Sequence, residues 1–458
     1  MRLKEKIVCF AALFFVFVTQ VCAGAAVDSI VFVGNLRTQE NFLARIVAPV
    51  INTEYSADTD SVIFRKLERT GLFNQIIIQP SLRAEDDNVV IFVILNERPA
   101  FQPIGVGAGL FGSLYGEDKT WPWLCMQFRY NNLFGVGQRL YFDFGLFQNR
   151  YFATTWHVPV GGSDYFFDAG GLIERRPSLI FEWEISPLLN TFLRFGRMIS
   201  DNQKVSYEIA PRFRRYNSVV RDAGGSWRRD SVIDNFWEVY QRLQYQIRFS
   251  DDFYPPLFST FAQVSLNTNA MLAFQDKVFF GVSGELSQNI PVWQMARHSF
   301  LLRMRFDLTP VGERSVYGGF LTGGAAFVRG FDDDIIGSKH ATIFGNRIVS
   351  TAEYQFHIVT LPEMRFRFLS FVSQSMAGFR PEIAGAVFLD AGYLFEDFYE
   401  PKGASVNAAS MGVSLRFLQP HMRLGGAIDF AWQLRASSQY LKSNRGAPVL
   451  HIGFVQHF

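Results

Sequence analysis

Cysteine is nearly missing from this 458-residue chain: there are three, and two of them, Cys9 and Cys22, lie within the first 22 positions. The third, Cys125, has no partner with which to close an internal disulfide, so crosslinks do not hold this fold. Net charge is nearly missing as well, at +2, which excludes the strongly basic balance of a nucleic-acid binder. Past residue 18 no apolar run approaches the roughly eighteen residues that a membrane-spanning helix needs. Catalytic signatures are also lacking. There is no Gly-x-Ser-x-Gly elbow, and the seven histidines are scattered. His451 and His457 share a strand face but have no cysteine or carboxylate at ligand spacing. "GAGLFG" (Gly107, Gly109, Gly112) has the spacing of a dinucleotide fingerprint but opens no helix. The chain reads as a non-enzyme with no metal and no cofactor.

What the chain does have is aromatic side chains, 49 Phe, 16 Tyr and 8 Trp, and an export-type beginning. Arg2, Lys4 and Lys6 precede an apolar stretch from Ile7 to Val18, followed by small residues around Ala23 and Ala25. This is the plan of a cleavable signal peptide over 1–25, too short to span a bilayer. Val21 stands where a lipid-anchored cysteine would need a small neighbour, so ordinary cleavage is expected. Cleavage takes three of the 44 bases and one of the 42 acids, leaving 41 of each. An exported, aromatic-rich chain without membrane helices fits a transmembrane β-barrel, whose lipid-facing residues are spread over alternate positions.

Period-two alternation recurs from about residue 99 onward. In "RLYFDFGLF", Leu140, Phe142, Phe144 and Leu146 oppose Arg139, Tyr141, Asp143 and Gly145. "YQRLQYQIRF" sets Leu243, Tyr245, Ile247 and Phe249 against Arg242, Gln244, Gln246 and Arg248. "FLLRMRFDL" and "MRLGGAIDFAW" behave alike, the latter with Asp429 opposite Phe430 and Trp432. A soluble β-sandwich also alternates. The number of segments, their aromatic faces and a chain that stops on the aromatic Phe458 favour the barrel, which must satisfy every backbone group in lipid. At about 22 residues per strand and connection, the length predicts about sixteen antiparallel strands over 99–458.

Residues 26–98 differ. "VDSIVFVGN" reads as a strand, "TQENFLARIVAPV" as a helix capped by Thr38, and "DTDSVIFRKLERTG" as a second helix stopped by Gly71. "FNQIIIQPSL" and "NVVIFVILNE" read as two further strands. The order β-α-α-β-β predicts one small α+β domain, on the periplasmic side if the chain is exported.

That order, with "VFVGN", "LERTGLFNQIIIQ" and "VILNERP", resembles a POTRA domain. Followed by a barrel, it resembles the BamA/TamA superfamily (bacterial surface antigen type) of outer-membrane assembly and secretion barrels, and the likeness covers essentially the whole mature chain. Its most specific piece is "GGAAFVRGF", where Gly323 and Gly324 stand before Val328, Arg329, Gly330 and Phe331. "NNLFGVGQRL" (Asn132, Gly135, Gly137), "STAEYQF" with Glu353, and "VFLDAGYLF" with Phe388, Asp390 and Gly392 follow in the family's order. The resemblance implies that the Arg329 loop folds into the lumen, with Asp390 as its partner and Glu353 as a second acidic neighbour. The competing reading is a solvated loop in which Arg329 pairs with Asp332, Asp333 or Asp334. The resemblance further implies a closure seam between the first barrel strand, with Gly105, Gly107 and Gly109, and the last, ending at Phe458. Two readings of those glycines stay open: a seam that opens sideways, or space for the inward loop.

The implied function is assistance in inserting or translocating β-rich client proteins at the bacterial outer membrane. The partners are then the outer-membrane lipid bilayer, unfolded β-rich clients and periplasmic accessory proteins, with no nucleic acid. A two-partner-type secretion transporter, a passive channel or structural surface barrel, and a phage or adhesion receptor are the alternatives. A single POTRA domain departs from the several of bacterial insertases and the two of secretion transporters, which points to an accessory or specialised role.

Overall fold

The computed structural model describes residues 25–83, 88–112, 121–147, 150–160, 163–178, 183–200, 202–221, 227–250, 258–271, 278–292, 297–312, 328–331, 345–362, 381–399, 405–419, 424–436 and 448–456. The expected signal peptide, except for its last residue, lies outside the described residues, as do Gly323, Gly324, Asp332, Asp333, Asp334 and Phe458.

β1 (Val27–Val33), α1 (Glu40–Val47), α2 (Ala57–Arg69), β2 (Phe73–Leu82) and β3 (Val89–Glu97) follow in that order. They make a small α+β fold in which the sheet order is β1-β3-β2, with β1 parallel and β2 antiparallel to β3. Alternation along β3 puts Val89, Ile91, Val93 and Leu95 on one face. There they join Phe42, Leu43, Ile46 and Val47 of α1 and Ile63 and Leu67 of α2 in a single buried core. α2 stops because Gly71 takes a φ of +59° and returns its amide to the Glu68 carbonyl at 2.8 Å.

Thr38 does not cap α1. The N-cap position is Gln39, which makes no side-chain cap. Thr38 instead donates its hydroxyl to Glu97 Oε1 at 2.5 Å and its amide to the same oxygen at 2.8 Å. A charged acceptor makes a stronger bond than a neutral helix terminus offers, so a carboxylate 59 residues away displaces the local cap. The Thr38 hydroxyl also accepts from Asn132 Nδ2 at 2.7 Å.

The compact unit containing these elements extends past Gln102 to include residues 129–140 and 156–167; the other unit holds 103–128, 141–155 and the chain from Asp168 onward. Within the first unit Asn132 adopts a φ of +58° and its Oδ1 accepts the Gly137 amide at 2.9 Å. Gly137 is itself at φ +77°, and a β-carbon there would run into the Phe42 ring.

The barrel strands are β4 (Phe101–Gly112), β5 (Trp121–Leu133), β6 (Gln138–Phe147), β7 (Arg150–Pro159), β8 (Tyr165–Ser178), β9 (Trp183–Ser200), β10 (Gln203–Arg221) and β11 (Trp227–Ser250). They continue as β12 (Ser259–Met271), β13 (Val278–Pro291), β14 (His298–Gly312), β15 (Asn346–Thr360), β16 (Glu382–Phe395), β17 (Ser405–Gln419), β18 (Leu424–Ala436) and β19 (Val449–Gln456). These sixteen strands close into a barrel in which β19 returns to β4. Closure leaves no sheet edge in hydrocarbon, where an unpaired backbone group has no water to bond. Alternation then sorts the side chains. Leu243, Tyr245 and Phe249 of β11, Phe300, Leu302 and Met304 of β14, and Phe430 and Trp432 of β18 are exposed on the outside. Glu238 of β11 and Asp429 of β18 are buried on the inside. Outer rings pair across strands, with Phe144 and Phe152 centroids 5.1 Å apart and Phe300 and Tyr354 4.9 Å apart.

The Thr38 relay makes the first unit sensitive to acid. Burial pushes the Glu97 carboxyl up, but the hydroxyl and amide of Thr38 and the amide and guanidinium of Arg37 outweigh it, holding it below its ordinary value of 4.5. A lowered folded-state value stabilises the fold above the ordinary carboxylate range, and that stabilisation is lost as pH falls through the lower value. Asp60 is pushed up by burial, against the bond from the Tyr55 hydroxyl, and so acts in the opposite sense. Protection factors of the amides of residues 35–45 in the full chain, which remove the intrinsic pH dependence of exchange, are expected to fall on acidification below about pH 4.5. In Glu97→Gln that fall disappears; an unchanged pH profile in the variant overturns the assignment.

Candidate functional site

The site is built on the inward faces of β15 to β18. Register sets Thr351 opposite Asp390 and Glu353 opposite Phe388 across β15 and β16. Phe388 faces Gly412 and Asp390 faces Ser410 across β16 and β17, and Ser414 faces Asp429 across β17 and β18. Each strand therefore contributes one or two inward positions to a common patch.

Val328, Arg329, Gly330 and Phe331 sit on this patch, and Val328 and Phe331 are essentially inaccessible. Arg329 donates Nε to Asp390 Oδ2 at 2.8 Å and Nη2 to Asp390 Oδ1 at 3.0 Å, two parallel bonds from a planar fork. Its backbone amide reaches Asp390 Oδ2 at 3.1 Å, so side chain and main chain are held by one carboxylate. Nη1 donates to Glu353 Oε2 at 3.0 Å and lies 3.7 Å from Asp429 Oδ1. The guanidinium carbon stands 3.4 Å from the centre of the Phe388 ring, which supports it face-on. The ring has room because its cross-strand neighbour is Gly412: a β-carbon there would meet the Phe388 ring and the Phe430 carbonyl. Gly330 adopts a φ of +100°, and a β-carbon on it would lie 2.8 Å from Ser410 Cβ, so the loop tip requires glycine for both conformation and space.

Three carboxylates, Glu353, Asp390 and Asp429, face two guanidiniums, since Arg416 is ion-paired with the second oxygen of Glu353. Gln355 also donates to that oxygen, at 2.8 Å. Sequence reasoning named Phe388 only as a motif residue, without its place under the guanidinium, and did not find Asp429 or Arg416 as parts of the site. Alternation puts all three on inward faces, but only the register across four strands brings them under one loop.

At the closure, β19 and β4 pair from Leu450 opposite Gly112 to Val455 opposite Gly107, with Gly453 opposite Gly109. Gly107 and Gly109 lie in this ladder. Gly105 is in β4 but beyond the described pairs, and Phe458 lies outside the described residues.

A family model, the Omp85 superfamily domain, matches residues 189–445, which include Arg329, Glu353, Asp390 and Asp429. The chain belongs to the Omp85 superfamily. This Omp85 chain is an outer-membrane β-barrel, and its fold is similar to solved structures over nearly its whole length. BamA from Haemophilus ducreyi lacking POTRA domains 1–3 matches with a TM-score of 0.65 and 13% identity, over 95% of this chain and 85% of that one. CdiB from Acinetobacter baumannii matches at 0.63 and 13% identity, over 94% of this chain and 74% of that one. CdiB from Escherichia coli matches at 0.53 and 12% identity, over 95% and 91%. No curated protein matches the sequence.

Removing one partner from a buried, bonded ion pair typically costs about 3–5 kcal/mol because the other charge is left stranded. Asp390→Ala and Arg329→Ala should each lower the unfolding temperature of the barrel in detergent, read by the gel shift between folded and heat-unfolded forms. The double variant should lose less than the two losses summed. Arg329→Lys should not rescue, because a single ammonium cannot make both parallel bonds. Asp429→Asn, at the longer distance, should be nearly silent. Unfolding temperatures unchanged in Asp390→Ala would show that the clasp contributes nothing.

Proposed function

We propose that this Omp85 chain assists the insertion or translocation of β-rich client proteins at the outer membrane, with the small N-terminal fold acting as a single periplasmic POTRA domain. The observation that carries the reading is the seam. Its described ladder runs from Leu450 opposite Gly112 to Val455 opposite Gly107. A cross-strand side-chain pair adds roughly 0.2–1 kcal/mol to a sheet. Gly109 opposite Gly453 adds none, and glycine gains more backbone freedom than any other residue when a strand is released. Glycine also stands opposite Leu450 and Val455, so at three of the six described pairs of the seam no side chain crosses from β4, and the backbone bonds there are ones an incoming strand can replace one for one. Gly105 adds a further glycine to β4, and Phe458 lies outside the described residues.

The N-terminal sheet supplies a place to capture such a strand. β1 is an edge, contains no proline, and beyond Val27 its open side takes no backbone bond among the described residues. β2, the other edge, contains Pro80, which has no donor to offer. A client strand would add to β1, where main-chain bonds give affinity with little demand on sequence. In this reading the Arg329 clasp on Asp390 and Glu353 keeps the lumen occupied while the seam works.

Depletion of the protein tests the proposal. Levels of other outer-membrane barrels should fall if it serves insertion; secreted β-rich proteins should accumulate in the periplasm if it serves translocation. If both classes stay at their normal levels, the protein is a channel or a structural barrel and the reading is wrong.

A further inference from the structure

The inner wall of β9 to β11 differs in charge from the patch that holds Arg329. Arg194 takes Glu208 with two bonds, at 2.5 and 3.0 Å, and reaches Asp168 at 3.3 Å. Glu238 is engaged by Arg214 at 2.8 Å and by Asn269 at 2.6 Å. Arg212 and Arg242 stand opposite Glu238 and Glu208 in register, but those carboxylates are held more closely by Arg214 and Arg194. Arg212 stands 3.8 Å from Glu238 and donates a long bond to Asn190 at 3.4 Å. Arg242 donates Nε to the Tyr240 hydroxyl at 3.0 Å and has no ion pair among the described residues. Both guanidiniums flank one ring: their central carbons lie 3.8 Å and 5.1 Å from the centre of Tyr240. Tyr240 is fixed in turn by donating to Asn267 at 2.7 Å.

Tyr240 and its arginines thus form a preorganised cationic cradle with guanidinium nitrogens to spare. Its strands lie about half-way around the ring from β18 in the strand order, so the basic wall and the acidic patch occupy opposing arcs of one lumen. A planar guanidinium with unused donors suits an oxyanion, phosphate or carboxylate, with which it makes paired charge-assisted bonds. We propose that Arg212, Arg242 and Tyr240, backed by Arg214, form an oxyanion-binding station on the lumen wall. It makes the barrel prefer anions to cations. The inference does not depend on whether the chain handles client proteins.

The test uses the full chain in planar bilayers under a potassium chloride gradient. The reversal potential should show chloride passing more readily than potassium. Inorganic phosphate and, separately, a short glutamate-rich peptide are then added to distinguish a free phosphate from the carboxylates of a polypeptide. At least one should reduce the chloride current. In Arg212→Gln/Arg242→Gln the preference should vanish, and half-block should need about tenfold more of the probe, as expected for loss of charge-assisted bonds. Arg212→Lys/Arg242→Lys controls for folding: it keeps the charge, so the anion preference should persist while the block weakens. A cation preference in the parent chain, block by neither probe, or equal block in parent and glutamine variant overturns the proposal. So does a lysine pair that loses selectivity as the glutamine pair does, or a barrel that passes no ions.

Discussion

A cation taken out of water must be met by opposite charge at bonding distance, and this requirement shapes one whole side of the barrel. Arg329 brings with it a loop tip of Val328, Gly330 and Phe331, all of which occupy lumen volume. The wall beneath has been emptied to receive them. Ala384, Ala386, Ala408 and Ala431 are buried inward residues with almost no side chain, while Asp390 and Glu353 supply the acceptors. Around β9 to β14 the inward residues include long polar side chains held by ion pairs or rings, among them Arg194, Arg212, Tyr240, Arg242 and Arg305. Where the loop lands, one ion pair asks for carboxylates and small residues; where it does not, longer charged side chains also fill the wall.

Much of this was legible in the residue order, for reasons that can be named. Alternation is a local property, so the outward places of Leu243, Phe300 and Trp432 could be read directly, and sixteen strands followed from chain length and bilayer thickness. The association of Arg329 with Asp390, 61 residues away, could not be read from spacing and came from motif resemblance. Asp429 and Arg416 could be assigned a face but not a neighbour, because a face is set by parity along one strand and a neighbour by register between strands. Thr38 shows the opposite failure. Its local pattern is that of a helix cap, and a distant carboxylate, Glu97, claims it instead.

The small α+β fold shows how polar bonds add to a core that apolar contacts alone would already assemble. Leu43, Ile63, Leu67 and Ile91 exclude water completely, but they do not select which turn packs beside them. Asn132 does, by accepting a positive φ, holding Gly137 with its oxygen and offering its nitrogen to Thr38. Each of these bonds is directional, so the Asn132 turn has one docked geometry within its unit rather than a range of them.

Gly412 lies on the strand beside Phe388 and supplies no charged group to the clasp. Its missing methyl is nonetheless what lets that ring lie flat, and the ring is the floor on which the guanidinium rests. The depth at which the plug is seated is thus decided by a hydrogen atom on the neighbouring strand. A single added carbon there would raise the floor and prise the fork away from its acceptor without altering one charged group.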